Sequence, residues 1–268
     1  MPDFPLSAGG FLTEAVVNST VNANASPNVK GAYTELITST PWDADGLLVQ
    51  LQINNSTVSA LMDFAIGAAG SEVIVLANAL IAQTSRVSTW VHIPISIPAG
   101  SRVAARAQAT TGGQAIAVMA HVLRGGLWSP PPGGSIITLG ADTSDSGGQV
   151  IDPGGTIDTN GAWTQMSASL AQDIAAVWLM VGNRQNATLT DQSGLFRLEL
   201  GTGSAAAEVA AWGPIRFGSA AGGTFGPLPS MWFPLSIPAG TRLSARAKAG
   251  INDASDRLFD LTIYALVI

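Results

Sequence analysis

A sixteen-residue stretch that occurs twice constrains this chain more than any other feature. Pro94-Ile95-Ser96-Ile97-Pro98-Ala99-Gly100-Ser101-Arg102-Val103-Ala104-Ala105-Arg106-Ala107-Gln108-Ala109 returns as Pro234–Ala249, with eleven of sixteen positions identical and the other five mild swaps. Upstream, Gly31-Ala32-Tyr33-Thr34-Glu35-Leu36 answers to Gly161-Ala162-Trp163-Thr164-Gln165-Met166, and Gly67 and Glu72-Val73 align with Gly201 and Glu208-Val209. The offset grows from 130 to 140 along the pair, so about ten residues entered loops of the second copy. A period above 100 residues exceeds any solenoid repeat, and each copy should be a domain with its own core. The expected division is an extended N-terminal arm over 1–26, a first domain over 27–124, a Gly/Pro-rich linker over 125–150 and a second domain over 151–268. The arm has no evident counterpart after the linker, and Pro130-Pro131-Pro132 stiffens the join.

Local patterning points to strands. Leu47, Val49, Leu51 and Ile53 alternate with other residues, as do Ile116, Val118, Ala120 and Val122, and Leu261–Ile268 is rich in β-branched and aromatic types. Pro94 and Pro98, like Pro234 and Pro238, remove ladder donors and place that segment on a sheet edge. Pro98-Ala99-Gly100 then turns, with Gly100 free to take positive φ. Only the Ala-rich Asp63–Glu72 and Ser204–Ala211 leave room for short helices. Short strands in units of about 100–115 residues suit an all-β fold. Two tandem jelly-roll-like β-sandwich domains are favoured over immunoglobulin-like Greek keys.

Composition removes several function classes. Twelve Lys+Arg against eighteen Asp+Glu give a net charge of −6, which disfavours a nucleic-acid partner. The absence of cysteine rules out disulfides, thiolate metal sites and thiol nucleophiles. Met1–Phe11 does not read as a signal peptide, and Ala107–Leu123 is too short and polar to span a bilayer, so a soluble protein made in a cytoplasm is expected. The charged fraction is 11%, against roughly 25% in ordinary domains. A weakly polar exterior repels neighbours poorly and costs little to desolvate, as suits a subunit covered by partners.

The candidate chemistry is sparse. Arg102 and Arg106 share a strand face, as do Arg242 and Arg246, because even spacing keeps side chains on one side. These rows could grip carboxylates of an adjoining subunit, or pair with Glu72 and Glu208 of their own domains; all six residues are interface candidates. Gly201-Thr202-Gly203-Ser204-Ala205-Ala206 matches a dinucleotide fingerprint but lacks the acidic residue that should follow about 20 positions on. His92 and His121 lie in strand-like settings that suit packing better than a catalytic triad, and His92 corresponds to Trp232 in the second copy. Asp43/Asp45 and Asp142/Asp145 fall where Asp stabilises turns. No catalytic residue, cofactor or metal site is expected. Trp90 and Trp232 could stack on sugar rings if exposed, or close the ends of cores.

On the duplicated Pro-φ-Ser-Ile-Pro-Ala-Gly-Ser/Thr-Arg segment, together with Asp63–Glu72 and Gly31–Leu36, the chain resembles virion structural proteins of tailed bacteriophages. The second copy departs from that pattern over Phe196–Val209. The resemblance implies a non-enzymatic β-sandwich protein on the virion surface. With no heptads and no Gly-X-Y run for a fibre shaft, a head decoration or cement protein bridging capsid subunits is favoured. The alternative is a tail-fibre or receptor-binding protein reading host glycans. Expected partners are the major capsid protein or other virion proteins, and a homo-oligomer, with a trimer as one candidate; nucleic acid and membrane are not expected partners.

Overall fold

The computed structural model describes residues 19–53, 58–82, 89–124, 134–183, 194–220, 224–225, 232–250 and 258–268. The first domain contains β1 (Ser19–Asn22), β2 (Thr34–Ile37), β3 (Gly46–Ile53), β4 (Ser59–Ile66), β5 (Val73–Ala82), β6 (Thr89–Ile93), β7 (Val103–Ala109) and β8 (Ala115–Leu123). Its two four-stranded sheets have the orders β1-β8-β3-β6 and β2-β7-β4-β5. That interleaving, with every ladder antiparallel, is the jelly roll. The alternation read in the sequence is realised: Leu47, Val49, Leu51 and Ile53 meet Ile116, Val118, Ala120 and Val122 inside the sandwich, all at most 1% exposed.

The second domain repeats the plan with additions. It comprises β9 (Ser135–Leu139), β10 (Ala141–Asp142), β11 (Gly147–Ile151), β12 (Thr164–Ser167), β13 (Ile174–Asn183), β14 (Gly194–Thr202), β15 (Val209–Ala220), β16 (Thr224–Phe225), β17 (Phe233–Ile237), β18 (Leu243–Ala249) and β19 (Phe259–Val267). One sheet runs β10-β11-β19-β13-β17 with β9 also on β19, the other β12-β18-β14-β15-β16. Even loop contacts recur: Asp43 and Asp173 accept the N–H of Ala99 and Ala239, and Gly100 and Gly240 both turn at φ 78. Pro234 lies in β17, an edge strand, as its missing N–H requires.

Two expected boundaries change. Ser19–Asn22 is a paired strand of the first sandwich, so the stretch assigned to the arm (1–26) contributes β1; residues 1–18 lie outside the described ones. Within the stretch assigned to the linker (125–150), residues 125–133 lie outside the described ones, while 135–150 supplies β9, β10 and most of β11. Gly147-Gly148 falls within that expected linker, yet a Cβ on Gly148 would sit 2.8 Å from the Leu261 backbone; glycine is what lets β11 approach β19. The allowed helices are absent: Asp63–Ile66 ends β4, and Val209 opens β15. Equivalent registers set Ile66 and Thr202 opposite Val103 and Leu243, so Gly67 (φ 115) corresponds to Gly203 (φ 120), not Gly201.

The cores explain the long apolar runs. Val177, Leu179, Ile263, Ala265 and Val267 point into the second domain's own core. Ala176, Trp178, Met180, Trp232, Tyr264 and Leu266, on the opposite face of that sheet, pack into the cluster of the first domain. The sheet is buried on both sides, so β13 and β19 lose the polar/apolar alternation of a half-exposed strand.

Candidate functional site

The arginine rows close within their own domains. Arg102 Nε donates to Glu35 at 2.9 Å and Nη1 to Glu72 at 3.0 Å. Arg242 pairs with Glu208 and donates to Gln165 at 3.1 Å. Across the β4–β7 ladder Arg106 Nε meets Asp63 at 2.9 Å, and across β14–β18 Arg246 Nε meets Glu199 at 2.8 Å. Each outer arginine lies over an aromatic ring, Arg106 over Tyr33 at 4.7 Å and Arg246 over Trp163 at 4.2 Å. The repeated Gly-Ala-Tyr/Trp-Thr is thus the platform of a cation–π contact. Of the two readings of the rows, the intradomain one describes these contacts: Glu72 and Glu208 serve their own domains.

These environments set the acids' protonation. Glu72 is held below the usual carboxylate range by its own backbone N–H, then by Arg102 and the Gly70 N–H. At Glu208 burial pushes upward, but the Arg242 hydrogen bond, backbone N–H groups and the Arg242 charge together bring the carboxyl down. Asp63, 3% exposed, also accepts Lys30 Nζ at 2.7 Å and the Asn78 N–H at 2.9 Å. Neither Asp63 nor Glu199 stands out in the sequence; their signal is an acid in mid-strand opposite an arginine.

The most extensive polar contact joins the domains. Tyr264, fully buried, accepts the Leu80 N–H at 2.6 Å and donates towards Asn78 O at 3.3 Å, capping the edge of β5. Burial drives its hydroxyl pKa up to about 12, against the Thr262 and Leu80 hydrogen bonds. Trp178 packs on Tyr264 with ring centroids 4.9 Å apart, and Trp232 Nε1 donates to His92 O at 3.1 Å. Gln108 donates to Thr143 O at 2.7 Å and Ser146 to Asn28 at 2.8 Å, while Thr138 donates to Ala77 O. Beside these contacts is a groove of about 490 Å³, lined in part by Asn28, Lys30, Asp63, Asn78, Arg106 and Thr143.

The two tryptophan candidates part company. Trp232 is 2% exposed at the junction and cannot stack on a sugar, which corrects that expectation. Trp90 is 38% exposed on the outer face of β6 and stacks on His121, centroids 6.2 Å apart. That face carries Leu48, Gln50, Gln52, Ala117, Met119, His92 and His121, and no charged residue among those described. Burial pushes the His92 pKa down. Asp43, Asp142 and Asp145 each accept a backbone N–H in a turn. The Gly201–Ala206 stretch runs from the end of β14 through a turn towards β15, with no helix following. Among the described residues, no group of His, Asp and Glu suited to a metal ion assembles.

No family model matches this chain, and no curated protein matches its sequence. Solved structures do. The chain is similar to PNGF-II at 8% identity and a TM-score of 0.42, covering 95% of this chain and 65% of that one, just under two thirds of its length. It is similar to the triple jelly-roll protein of an archaeal virus turret at 11% identity and a TM-score of 0.22, covering 93% and 58%. It is similar to the PBSX exported protein XepA at 8% identity and a TM-score of 0.24, covering 89% and 86%. Likenesses at this level specify neither activity nor partner.

Proposed function

We propose that this chain is a non-enzymatic structural protein of a virion surface, a head decoration or cement protein bridging capsid subunits. The observation that carries the reading is how little free charge the exterior retains. Only 11% of residues are charged, and Lys30, Arg102, Arg106, Arg242, Arg246, Glu35, Asp63, Glu72, Glu199 and Glu208 are already committed to pairs inside their own domains. A junction sealed by aromatic packing supports a rigid two-lobed body. Such a body presents a large, cheaply desolvated surface, which is what clamping neighbouring subunits requires. The partner is then a capsid or other virion protein.

Particles stripped of the protein and incubated with the purified chain provide the test. Saturable rebinding at hundreds of copies per particle, counted by quantitative mass spectrometry, is the expected result. A few copies confined to the tail would replace this reading with the receptor-binding one, for which Trp90 supplies a single aromatic platform. No rebinding at any site would end both.

A further inference from the structure

We propose that the chain associates with itself head to tail, the β15 edge of one copy seating on the outer face of the β1-β8-β3-β6 sheet of the next. The junction within the chain supplies the template. There the β11-β19-β13-β17 sheet of the second domain receives the bulged edge of β5 from the first. The duplication makes a second such pair of surfaces, and among the described residues neither is filled within the chain: β16 meets the β15 edge only at Ser219 and Ala220.

Strand registers give the correspondence residue by residue. Leu48 opposite His121 matches Trp178 opposite Tyr264, and Gln50 opposite Met119 matches Met180 opposite Thr262. On the edge, Leu76 and Trp212 stand opposite Phe64 and Leu200, while Leu80 and Arg216 stand opposite Leu61 and Arg197. The positive-φ bulges, at Asn78 and at Gly213, fall in the same interval.

Among the described residues, hydrogen-bonding groups without a protein partner occur on both surfaces at the matching places. Leu80 N–H and Asn78 O, met by Tyr264 in the junction, correspond to Arg216 N–H and Pro214 O. By register these point out of the edge, and no described residue meets them. On the receiving face His121 replaces Tyr264, and its Nδ1 is buried without a partner. An imidazole, like a phenol, can donate and accept at once.

Polarity has changed on both sides together. Leu80 becomes Arg216 on the edge, while Trp178 and Met180 become Leu48 and Gln50 on the face. A cation is accommodated by amides and by the flat Trp90 ring on a face that carries no opposing cation. The result is a wetter copy of the junction, suited to contact between chains that must meet by diffusion. The two surfaces differ, so the contact is heterologous and continues into rings or filaments.

Two full-length variants test this, Trp90→Glu on the face and Arg216→Pro on the edge, where proline deletes the outward N–H yet is tolerated. Sedimentation velocity over increasing concentration should show wild-type assemblies larger than dimers, and at least tenfold weaker association for each variant alone. A one-to-one mixture should stop at dimers, because one intact edge and one intact face remain. If Arg216→Pro loses its cooperative melt, Ala211→Glu on the same exposed edge replaces it. Wild type at the mass of one chain throughout overturns the proposal, and so do variants that assemble normally or a mixture without dimers. Glycan binding lost in Trp90→Glu from a monomeric wild type also overturns it. The proposal does not rest on the virion reading: self-assembly without particle binding would uphold this one and remove the other.

Discussion

The two domains place a carboxylate opposite an arginine at the same point of the same sheet, yet they balance it differently. In the first, Asp63 has a side chain 4% exposed and holds two cations, Lys30 and Arg106. In the second, the Glu199 side chain is 17% exposed and pairs with Arg246. By offset Asn160 takes the place of Lys30, and its Oδ1 is buried without a partner. The difference follows from the neighbours. The turn at Thr143–Ser146 of the second domain closes over Gln108 and Asn28 beside Asp63, whereas the ion pair of Glu199 with Arg246 lies within the second domain. A carboxylate removed from water needs nearby charge of opposite sign, and a more open one needs less. Lys30 bears the complementary cost: burial lowers its pKa, and Asp63 opposes that fall.

The largest expected effect tests that contrast directly. Asp63→Asn leaves Lys30 and Arg106 without their acid and should cost about 3 kcal/mol in urea unfolding, since breaking a buried pair exposes uncompensated charge. Glu199→Gln should cost about 1 kcal/mol, the range of a more open pair. Equal losses would mean that covering by the sister domain does not govern the balance. Next comes the junction. Tyr264→Phe removes the hydroxyl that Leu80 N–H and Asn78 O use and should cost about 2 kcal/mol, because those edge groups are left buried and unmet. His121→Phe at the corresponding place should change the stability of the isolated chain by less than about 0.5 kcal/mol. A loss at His121 matching that at Tyr264 would show the open face to be already in use within one chain.

Much of this architecture was legible because periodicity and repetition are local. The alternation over Leu47–Ile53 and Ile116–Val122 survives in the strands, and the Pro94–Ala109 duplicate marked both edge strands and both Gly turns. What escaped was set by contacts between distant segments. Ser19–Asn22 has four residues with one buried side chain, too few for a period to register, and it becomes a strand by pairing with β8. Gly147-Gly148 resembles a break because close approach to Leu261 selects glycine as strongly as a turn would. The arginine rows were visible, but their partners were ambiguous: an acid 30 or 67 positions away is indistinguishable in sequence from one on another chain. Trp232 and Trp90 looked alike because burial at the junction depends on the sister domain rather than on neighbours along the chain.

A smaller effect separates the Arg102–Glu72 and Arg242–Glu208 pairs by acid titration. Glu208 and Glu72 both have lowered carboxyl pKa values, so each contributes stability above the unfolded carboxylate range that is lost as pH falls through its folded value. The Glu208 side chain is 3% exposed and that of Glu72 8%, and Arg102 has Glu35 as a second acid. Arg242→Ala should therefore flatten the acid limb of the stability curve below about pH 4.5 more than Arg102→Ala does. Matched limbs, followed by thermal melts from pH 6 to pH 3, would erase that distinction between the domains.

The smallest effect lies at His92, whose carbonyl takes the Trp232 hydrogen bond and whose counterpart in the second copy is Trp232 itself. Burial lowers its pKa, so the folded chain binds its proton later than the unfolded chain does. The unfolded state gains protons first as pH drops below about 6.5, and stability declines from there until the folded imidazole also titrates, after which the curve levels. His92→Gln should remove this step while leaving the carboxylate limb at lower pH in place. A Cβ on Gly46 would stand 3.2 Å from His92 Nε2, so Gly46→Ala should crowd the ring and destabilise the first domain modestly at every pH. A step that persists in His92→Gln would show that burial of this ring is not its source.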